Sequence, residues 1–392
     1  MQLYFDDPEF DRQLQRTAAK ASYGCCDLGE IFAVAARIVP RDYDSWYGEW
    51  FAAGESARLL GEAEAAAGHD VNAVSAHLRA SEYYRSAYFF TRREPHGVAL
   101  LEAFHHSQAA FRAAAPHLPF PTERVSIPYE DVELEGYLVR PRDAAPGPTL
   151  LLPCGYDSPV EELYSLGAAE AAARGFSVIM FSGPGQAEML FDRGIPFRPD
   201  FEAVAGAVID FVRTRADLDG ERIGIVGRSF GGYLAPRAAS MEPRITAMSA
   251  DPAQYDMGAV FRSRMPADLL ALLDAGDPAF DDAIWEAYPG VHGQEFWLSR
   301  ARAHGVDSPL AYAQLMREWT VDVEALECPT FVSYGEGDHA QAGTEEFFDR
   351  LTVDEKQFTV YREADGSGGH CEGMGPSRYF SDVFGWFADR LR

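Results

Sequence analysis

Lysine is almost absent from this chain, and basic side chains are far outnumbered by acidic ones. Among 392 residues only Lys20 and Lys356 are lysines, and 34 basic residues stand against 61 acidic ones, which gives a formal net charge of −27. A protein of this charge repels nucleic acids and anionic membranes. We therefore expect neither as a partner, and we expect a small-molecule substrate instead.

Cysteines and long apolar runs are also scarce. The chain has five cysteines, odd in number and without CxxC spacing: Cys25, Cys26, Cys154, Cys328 and Cys371. This pattern argues against a disulfide framework and against a zinc site. There is no apolar run of 18 residues, and the first ten residues are acidic rather than basic and apolar, which argues against a membrane span or a signal peptide. The sequence thus predicts a soluble, cytoplasmic protein without a metal or cofactor.

The composition is that of a globular protein, with 47% hydrophobic and 24% charged residues. Up to about residue 118 the chain is rich in alanine, glutamate, arginine and aromatics, and apolar residues such as Val71, Val74 and Leu78 recur at helical spacing. After that point alternating, β-type patterns begin. We therefore predict an N-terminal helical domain over residues 1–120 and a second domain over residues 121–392.

The second domain begins with two alternating segments, 123–128 and 132–139, that predict antiparallel strands. Short apolar strands then alternate with helices, at 149–153, 176–181, 223–226, 245–249, 330–334 and 357–360. This rhythm predicts an α/β fold with a mostly parallel sheet covered by helices on both faces. The rhythm stops between residues 251 and 321, where aromatic-rich helical pieces predict an insertion that forms a lid over the sheet.

The sharpest motif is GRSFGG at residues 227–232, which lies directly between a predicted strand and a predicted helix. A serine on such a tight turn needs small residues two positions before and after it, because its backbone is strained. The helix N-terminus also directs backbone N–H groups toward a developing oxyanion. We therefore predict that Ser229 is a nucleophile.

A serine hydroxyl needs a histidine base that is oriented by a carboxylate. Asp338 follows the predicted strand 330–334, at the carboxyl end where sites of open α/β sheets lie. It is the preferred acid. Glu336 is the alternative carboxylate, and Asp251 and Asp256 in the predicted insertion are further candidates.

The predicted base is His370, in a glycine-rich loop between the last strand and the last helix. His339 competes for this role, but it directly follows Asp338 in the chain and is therefore poorly placed to bond that carboxylate through its ring. Cys371 is interpreted as a small buried side chain, because Ser229 already occupies the nucleophile position.

An oxyanion needs a second N–H donor, and the loop after strand 149–153 is the expected source. Gly155 permits a close approach of the backbone there, so we assign the backbone N–H groups of Tyr156 and Phe230 as the pair. Ser158 in the same loop has two equal interpretations: part of the site, or simply the N-cap of the following helix.

These features together resemble the α/β-hydrolase superfamily from about residue 123 onward. The helical N-terminal region, the GYDS segment at 155–158 with the glutamate pair after it, and the GPGQ segment at 183–186 are similar to a narrower group. That group contains 2,6-dihydroxypseudooxynicotine hydrolase and the fungal polyketide-shortening hydrolases of pigment pathways. The resemblance implies hydrolysis of a carbon–carbon bond beside a ketone, a Ser–His–Asp triad, and a homodimer whose N-terminal helices help to close the pocket.

In the nicotine-pathway enzyme of that group an additional glutamate is implicated near the triad, and no motif in this chain marks its counterpart. Aromatic residues of the insertion suggest a large apolar pocket for an aromatic or polyketide-like substrate, with Trp285, Trp297 and Tyr255 as lining residues. The alternatives to carbon–carbon cleavage are a carboxylic ester hydrolase or acyl-peptidase-like enzyme, an acyl-transfer cyclase of natural-product biosynthesis, and a non-catalytic ligand-binding protein of the same fold.

Overall fold

The computed structural model describes residues 2–142 and 147–391. Its N-terminal region consists of packed helices: α1 Pro8–Ala18, α2 Leu28–Ala35, α3 Tyr43–Ala66, α4 Asp70–Tyr88 and α5 Val98–Ala114. Aspartates begin the first three, since the side chains of Asp7, Asp27 and Asp42 accept hydrogen bonds from backbone N–H groups of the first helical turn. The apolar stripe predicted on α4 begins later than expected, because Val71 is exposed whereas Leu78 is buried.

In the described residues, eight strands form one sheet in the order β1-β2-β4-β3-β5-β6-β7-β8. The strands are β1 Thr122–Tyr129, β2 Val132–Val139, β3 Thr149–Pro153, β4 Ser177–Phe181, β5 Ile223–Arg228, β6 Ala247–Asp251, β7 Thr330–Gly335 and β8 Lys356–Tyr361. β1 and β2 are antiparallel, and β3 to β8 run parallel to one another. The predicted mostly parallel sheet with an antiparallel edge is confirmed.

Helices cover both faces of this sheet, and the short apolar strands are buried between them. The covering helices are α6 Ala168–Ala173, α7 Ala187–Phe191, α8 Phe201–Thr214, α9 Gly231–Met241, α15 Thr344–Arg350 and α16 Ser377–Arg390. The single helix predicted over residues 160–173 is wrong. A 3₁₀ turn at Val160–Tyr164 precedes α6, because Gly167 between them has a φ of 151°, which no helix contains.

The predicted insertion lies between β6 and β7 and is helical. Its helices are α10 Met257–Arg262, α11 Ala267–Ala275, α12 Ala279–Ala287, α13 Gly290–Ala303 and α14 Pro309–Leu315. Asp251 was expected to belong to this insertion, but it is the fully buried last residue of β6. Within residues 2–142 and 147–391, none of the helices has both the length and the apolar character that crossing a membrane requires.

A buried group of charged side chains joins the N-terminal helices to the turn after β3. We call it the Lys20 cluster, and its members are Arg16, Lys20, Glu82, Arg85 and Glu162. Lys20 Nζ donates to both carboxylate oxygens of Glu82 at 2.7 Å and also bonds Glu162, while Arg16 Nε donates to Glu162 Oε1 at 2.8 Å. The cluster fixes the turn at Val160–Tyr164 against α1 and α4.

Candidate active site

Ser229 lies between β5 and α9 with a φ of 57°, in the left-handed region that a side chain rarely adopts. The flanking glycines make this turn possible. A Cβ on Gly227 would lie 2.1 Å from the carbonyl oxygen of Gly231, and a Cβ on Gly232 would lie 1.9 Å from that of Pro252. The strained strand-to-helix turn and the need for a glycine two positions before Ser229 agree with the prediction from the motif. The predicted need two positions after it is wrong, because a Cβ on Gly231 would meet nothing within 4 Å.

Three predicted residues meet at the carboxyl ends of the strands. His370 Nε2 lies 2.9 Å from Ser229 Oγ, and His370 Nδ1 lies 2.9 Å from Asp338 Oδ1. Asp338 follows β7 and is itself held by the backbone N–H of Ala340, which donates to Oδ1 at 2.7 Å. Serine, imidazole and carboxylate thus form one continuous hydrogen-bonded line, in which the imidazole can take the serine proton.

The protonation of this line follows from its surroundings. Burial alone lowers the pKa of His370, but the neighbouring Cys371 sulfur and then the bonded Asp338 carboxylate outweigh burial and raise this pKa well above 6.5. For Asp338, burial raises the pKa, and the His370 ring and the Ala340 N–H more than offset it, so the pKa of Asp338 lies below its ordinary value. Asp338 is therefore the ionised partner that stabilises an imidazolium.

The loop after β3 approaches the same turn. A Cβ built on Gly155 would lie 3.5 Å from Ser229 Cβ and 3.6 Å from the backbone nitrogen of Phe230. Within the part of the chain that the structure describes, neither the Tyr156 N–H nor the Phe230 N–H donates to a protein acceptor. Two free donors next to a nucleophile are what an oxyanion requires.

The alternative acids lie elsewhere. Glu336 accepts from the backbone N–H of Glu363, and Asp256 caps α10 by accepting from Ala259 N. The side chain of Asp251 is fully buried beside Arg228 and does not bond His370. Only Asp338, among these candidates, bonds the imidazole.

The remaining ambiguous residues also have defined positions. His339 is in ring contact with His370, and burial together with the charge of His370 lowers the pKa of His339 to about 4, so it is neutral at pH 7. Ser158 does not cap a helix, since the 3₁₀ turn that follows has no side-chain cap; its hydroxyl accepts from Arg16 instead. Cys371 is half-buried rather than buried, with Sγ 3.8 Å from the carbonyl oxygen of Asp251.

A group of aromatic rings surrounds the turn at Ser229. The ring of Tyr156 lies 4.0 Å from that of Phe230, and both lie near Phe197 and His304. Trp319 lies near Phe230 and His304. Burial lowers the pKa of His304 to about 3, so its ring is neutral, and it bonds the Tyr156 hydroxyl. Sequence patterns did not reveal Phe197 or His304, because these residues come from a loop and from the end of α13, without a motif.

The three predicted lining residues occupy different places. Trp297 packs edge-on against Phe261, with ring centroids 5.2 Å apart, inside the insertion. Trp285 is half-buried against the same core. The Tyr255 ring packs near Phe347, toward α15.

One arrangement of side chains could in principle hold a metal ion. Potential ligand atoms of Asp338, His339 and His370 lie within 4.8 Å of one another. Two of these residues already bond each other in the line that ends at Ser229, so a metal there would compete with that line.

Fold and site together define an α/β protein with a hydrogen-bonded serine, histidine and aspartate at the strand-to-helix turn of Ser229. Two family models match the chain: "Alpha/beta hydrolase family" over residues 149–377 and "Esterase FrsA-like" over residues 38–257. The chain belongs to the alpha/beta hydrolase family and is a hydrolase, as its relatives are.

Similar curated proteins come from filamentous fungi. Alpha/beta hydrolase ucsC of an Acremonium species is 33% identical and aligns with 86% of this chain and 76% of its own length. Hydrolase acrC of Aspergillus aculeatus is 31% identical, with 99% and 98% covered. The 20-hydroxy-prefusarin hydrolase FUS2 of Gibberella moniliformis is 33% identical, with 85% and 83% covered.

The fold also matches a solved structure along nearly its whole length. The crystal structure of the 2,6-dihydroxy-pseudo-oxynicotine hydrolase superposes with a TM-score of 0.76 at 20% identity, and the match covers 95% of each chain. The match includes the N-terminal helices as well as the sheet, which confirms the predicted fold class as a whole.

Proposed function

We propose that this chain is a serine hydrolase that works through an acyl-enzyme and cleaves a carbon–carbon bond next to a ketone in an aromatic or polyketide-like substrate. The line of contacts from Ser229 Oγ through His370 to Asp338 carries the proposal. Such a line activates a serine that is otherwise a weak nucleophile.

The reaction then proceeds in two halves. His370 Nε2 takes the proton of Ser229 Oγ while this oxygen adds to the ketone carbon, and the oxyanion accepts from the N–H groups of Tyr156 and Phe230. When the oxyanion collapses, the carbon–carbon bond breaks, and the carbanion that leaves takes the proton from His370. Water, deprotonated by His370, cleaves the resulting ester, releases a carboxylic acid and restores the serine.

Carbon is a poor leaving group unless its charge is delocalised. A second carbonyl or an electron-rich phenol beside the bond provides that delocalisation, which fits the aromatic surroundings of the Ser229 turn. The similarity in sequence to a 20-hydroxy-prefusarin hydrolase, and in fold to a 2,6-dihydroxy-pseudo-oxynicotine hydrolase, supports an aromatic or polyketide-like substrate. The same aromatic surroundings favour an apolar or aromatic substrate over a charged one.

A matched pair of substrates tests the proposal. We expect an aryl β-diketone to give a higher kcat/KM than an aryl ester with the same aryl group, and we expect Ser229→Ala to abolish both reactions and labelling by a fluorophosphonate. In ¹⁸O-water the acid product should take up one labelled oxygen. A product without label would indicate a cyclase, and a wild-type protein that is neither labelled nor active would indicate a ligand-binding protein.

A carboxylic ester hydrolase is the second candidate. The match of the esterase model over residues 38–257, which includes Ser229, favours it. A higher kcat/KM for the aryl ester than for the diketone, with both reactions lost in Ser229→Ala, would decide for the esterase.

A further inference from the structure

A second buried group of charges lies directly behind the line from Ser229 to Asp338. We call it the Arg228 cluster, and it consists of Arg228, Asp251 and Glu372. Arg228 ends β5 next to the nucleophile, Asp251 ends β6, and Glu372 follows His370 by two residues. The two carboxyl side chains are fully buried, and the reaction described above uses none of the three side chains.

Arg228 holds the chain immediately after His370. Its Nη2 donates to Glu372 Oε2 and to the carbonyl oxygen of Cys371, both at 2.7 Å. Its guanidinium also lies over the ring of Tyr379, 4.6 Å from the centroid. One side chain beside the nucleophile thus contacts two consecutive residues of the histidine loop.

This loop needs such support because its backbone is strained. Cys371 has a φ of 49° and Glu372 a φ of 60°, so two consecutive side chains occupy the left-handed region. That conformation is unfavourable for a residue with a side chain, because its Cβ comes too close to the following carbonyl oxygen. Arg228 bonds both of them, so its contacts offset strain in the loop that carries His370.

Asp251 connects the same cluster to the nucleophile. Its carbonyl oxygen accepts from the backbone N–H of Ser229 at 2.8 Å, and its Oδ1 accepts from Ser333 Oγ, on β7, at 3.2 Å. The cluster therefore contacts Ser229 on one side and, on the other, the two residues that follow His370.

The charges of the cluster do not balance unless a proton is present. One guanidinium faces two buried carboxyl groups that lie against each other. In the residues that the structure describes, Asp251 Oδ2 and Glu372 Oε1 are both buried without a hydrogen-bond partner. Arg228 Nε lies 3.6 Å from Asp251 Oδ2, beyond hydrogen-bond distance, so it does not satisfy this oxygen. A proton on one carboxyl, donated to the other, gives both carboxyl groups the missing partner.

The direction of the pKa shifts agrees with this arrangement. Burial raises the pKa of Asp251 to about 6, although Arg228 lowers it. Burial and then the charge of Asp251 raise the pKa of Glu372 well above its ordinary value. Other titratable or charged groups also face the pair: Asp338, His370, Cys371, Tyr361 and Tyr379.

We propose that Asp251 and Glu372 share one proton and, with Arg228, form a clamp that positions His370 against Ser229. These are positioning residues, which act through His370. The proposal depends on the proposed roles of Ser229 and His370, so it needs tests that separate the two.

The first test measures the shared proton by stability. A carboxyl whose pKa is higher in the folded protein binds its proton more tightly there, so stability falls as pH rises from about 4.5, the ordinary glutamate value, up to the folded pKa. We expect the decrease in Tm between pH 5 and pH 8 to be smaller in Glu372→Gln than in the wild type. An unchanged dependence of Tm on pH would show that both carboxylates are ionised and would overturn the shared proton.

The second test measures positioning by the rate at which a fluorophosphonate modifies Ser229. Misplacement of a catalytic group by about 1 Å can cost on the order of 100-fold in rate, so we expect Arg228→Met to react at least about tenfold more slowly than the wild type. Arg228→Lys, which keeps the charge, and Glu372→Gln, which keeps the shape, should lose less. The loss should appear in kcat rather than KM.

Glu188→Gln is the matched control. Burial raises the pKa of Glu188 to about 7, so this variant also removes a buried titrating glutamate, but its partner is Arg193 and it does not contact His370. Its labelling rate should equal that of the wild type. If folded Arg228→Met were labelled as fast as the wild type, the clamp would be refuted and the proposed function would stand. If the wild type itself were not labelled, the proposed function would be refuted. The comparison of Tm tests the shared proton in either case.

Discussion

The Lys20 cluster allows a prediction that runs against the usual expectation for a buried lysine. It contains three cations, Arg16, Lys20 and Arg85, and two carboxylates, Glu82 and Glu162, and all but Arg16 are almost fully buried. Removing the lysine charge therefore leaves two cations and two anions. Removing a glutamate charge leaves three cations against one anion.

The cost of each change follows from this count. In Lys20→Met the charges balance, and the loss is the hydrogen bonds of Nζ, above all that to Glu82 Oε2, which has no other described partner. An unsatisfied buried acceptor costs about 1–3 kcal/mol. In Glu162→Gln uncompensated buried cations remain, which costs about 3–5 kcal/mol. We expect the free energy of unfolding in urea at pH 7 to fall less for Lys20→Met than for Glu162→Gln.

The pH dependence gives an independent check of the same reasoning. Burial raises the pKa of Glu162, but Arg16 and then Lys20 outweigh burial and hold this pKa far below 4.5. A carboxylate with a depressed folded pKa stabilises the protein above about pH 4.5, and this contribution is lost as pH falls toward the folded value. The stability difference between wild type and Glu162→Gln should therefore shrink below pH 4.5. A loss for Lys20→Met that equals or exceeds that for Glu162→Gln would refute the charge count.

Three further outcomes are expected. Asp338→Asn should lower kcat on an aryl ester on the order of 10³–10⁴-fold, because the imidazole loses its orienting carboxylate; a change below tenfold would contradict this. The kcat/KM profile should rise with pH with an apparent pKa above 6.5, since His370 must lose its proton to act as a base and its pKa is raised; a midpoint below 6 would exclude the assignment. Gly232→Ala should lose roughly 1–3 kcal/mol of stability by overpacking against Pro252, whereas Gly231→Ala, whose Cβ meets nothing within 4 Å, should not.

The parts of the site that the sequence predicts well are those that depend on local chemistry. Gly227 lies two positions before Ser229, where the turn has no room for a Cβ, so this half of the motif reports the geometry directly. After Ser229 the position without room is Gly232, one residue later than predicted, because a Cβ on Gly231 meets nothing within 4 Å. Asp338 and His370 follow from the alternation of strands and helices, since parallel strands bring their carboxyl ends to one edge of the sheet. Neither inference needs a side-chain contact to be known in advance.

Contacts between distant segments are what the sequence could not supply. Arg228 occupies the unspecified position of the nucleophile motif, and its partner Glu372 lies 144 positions later. Lys20 and Glu162 are 142 positions apart. The predicted position of Asp251 in the insertion was wrong. β6 ends two residues after its predicted end, so Asp251 belongs to the strand and lies in the core. No periodicity within an element encodes any of these pairings.

The Arg228 cluster gives a physical reason for arginine rather than lysine at one buried position. The guanidinium donates to Glu372, to the carbonyl of Cys371 and, at 3.3 Å, to the carbonyl of Leu166. A planar fork of donors spans these directions at once, whereas an ammonium group on a flexible stem places its donors around one point. Lys20 bonds carboxylate oxygens gathered around such a point. Arg228→Lys should therefore keep the charge that the carboxyl pair needs but lose the hydrogen bond to the Cys371 or Leu166 carbonyl. Compared with Arg228→Met, it should regain more of the stability than of the labelling rate. If it regained more of the labelling rate than of the stability, charge and not geometry would position His370.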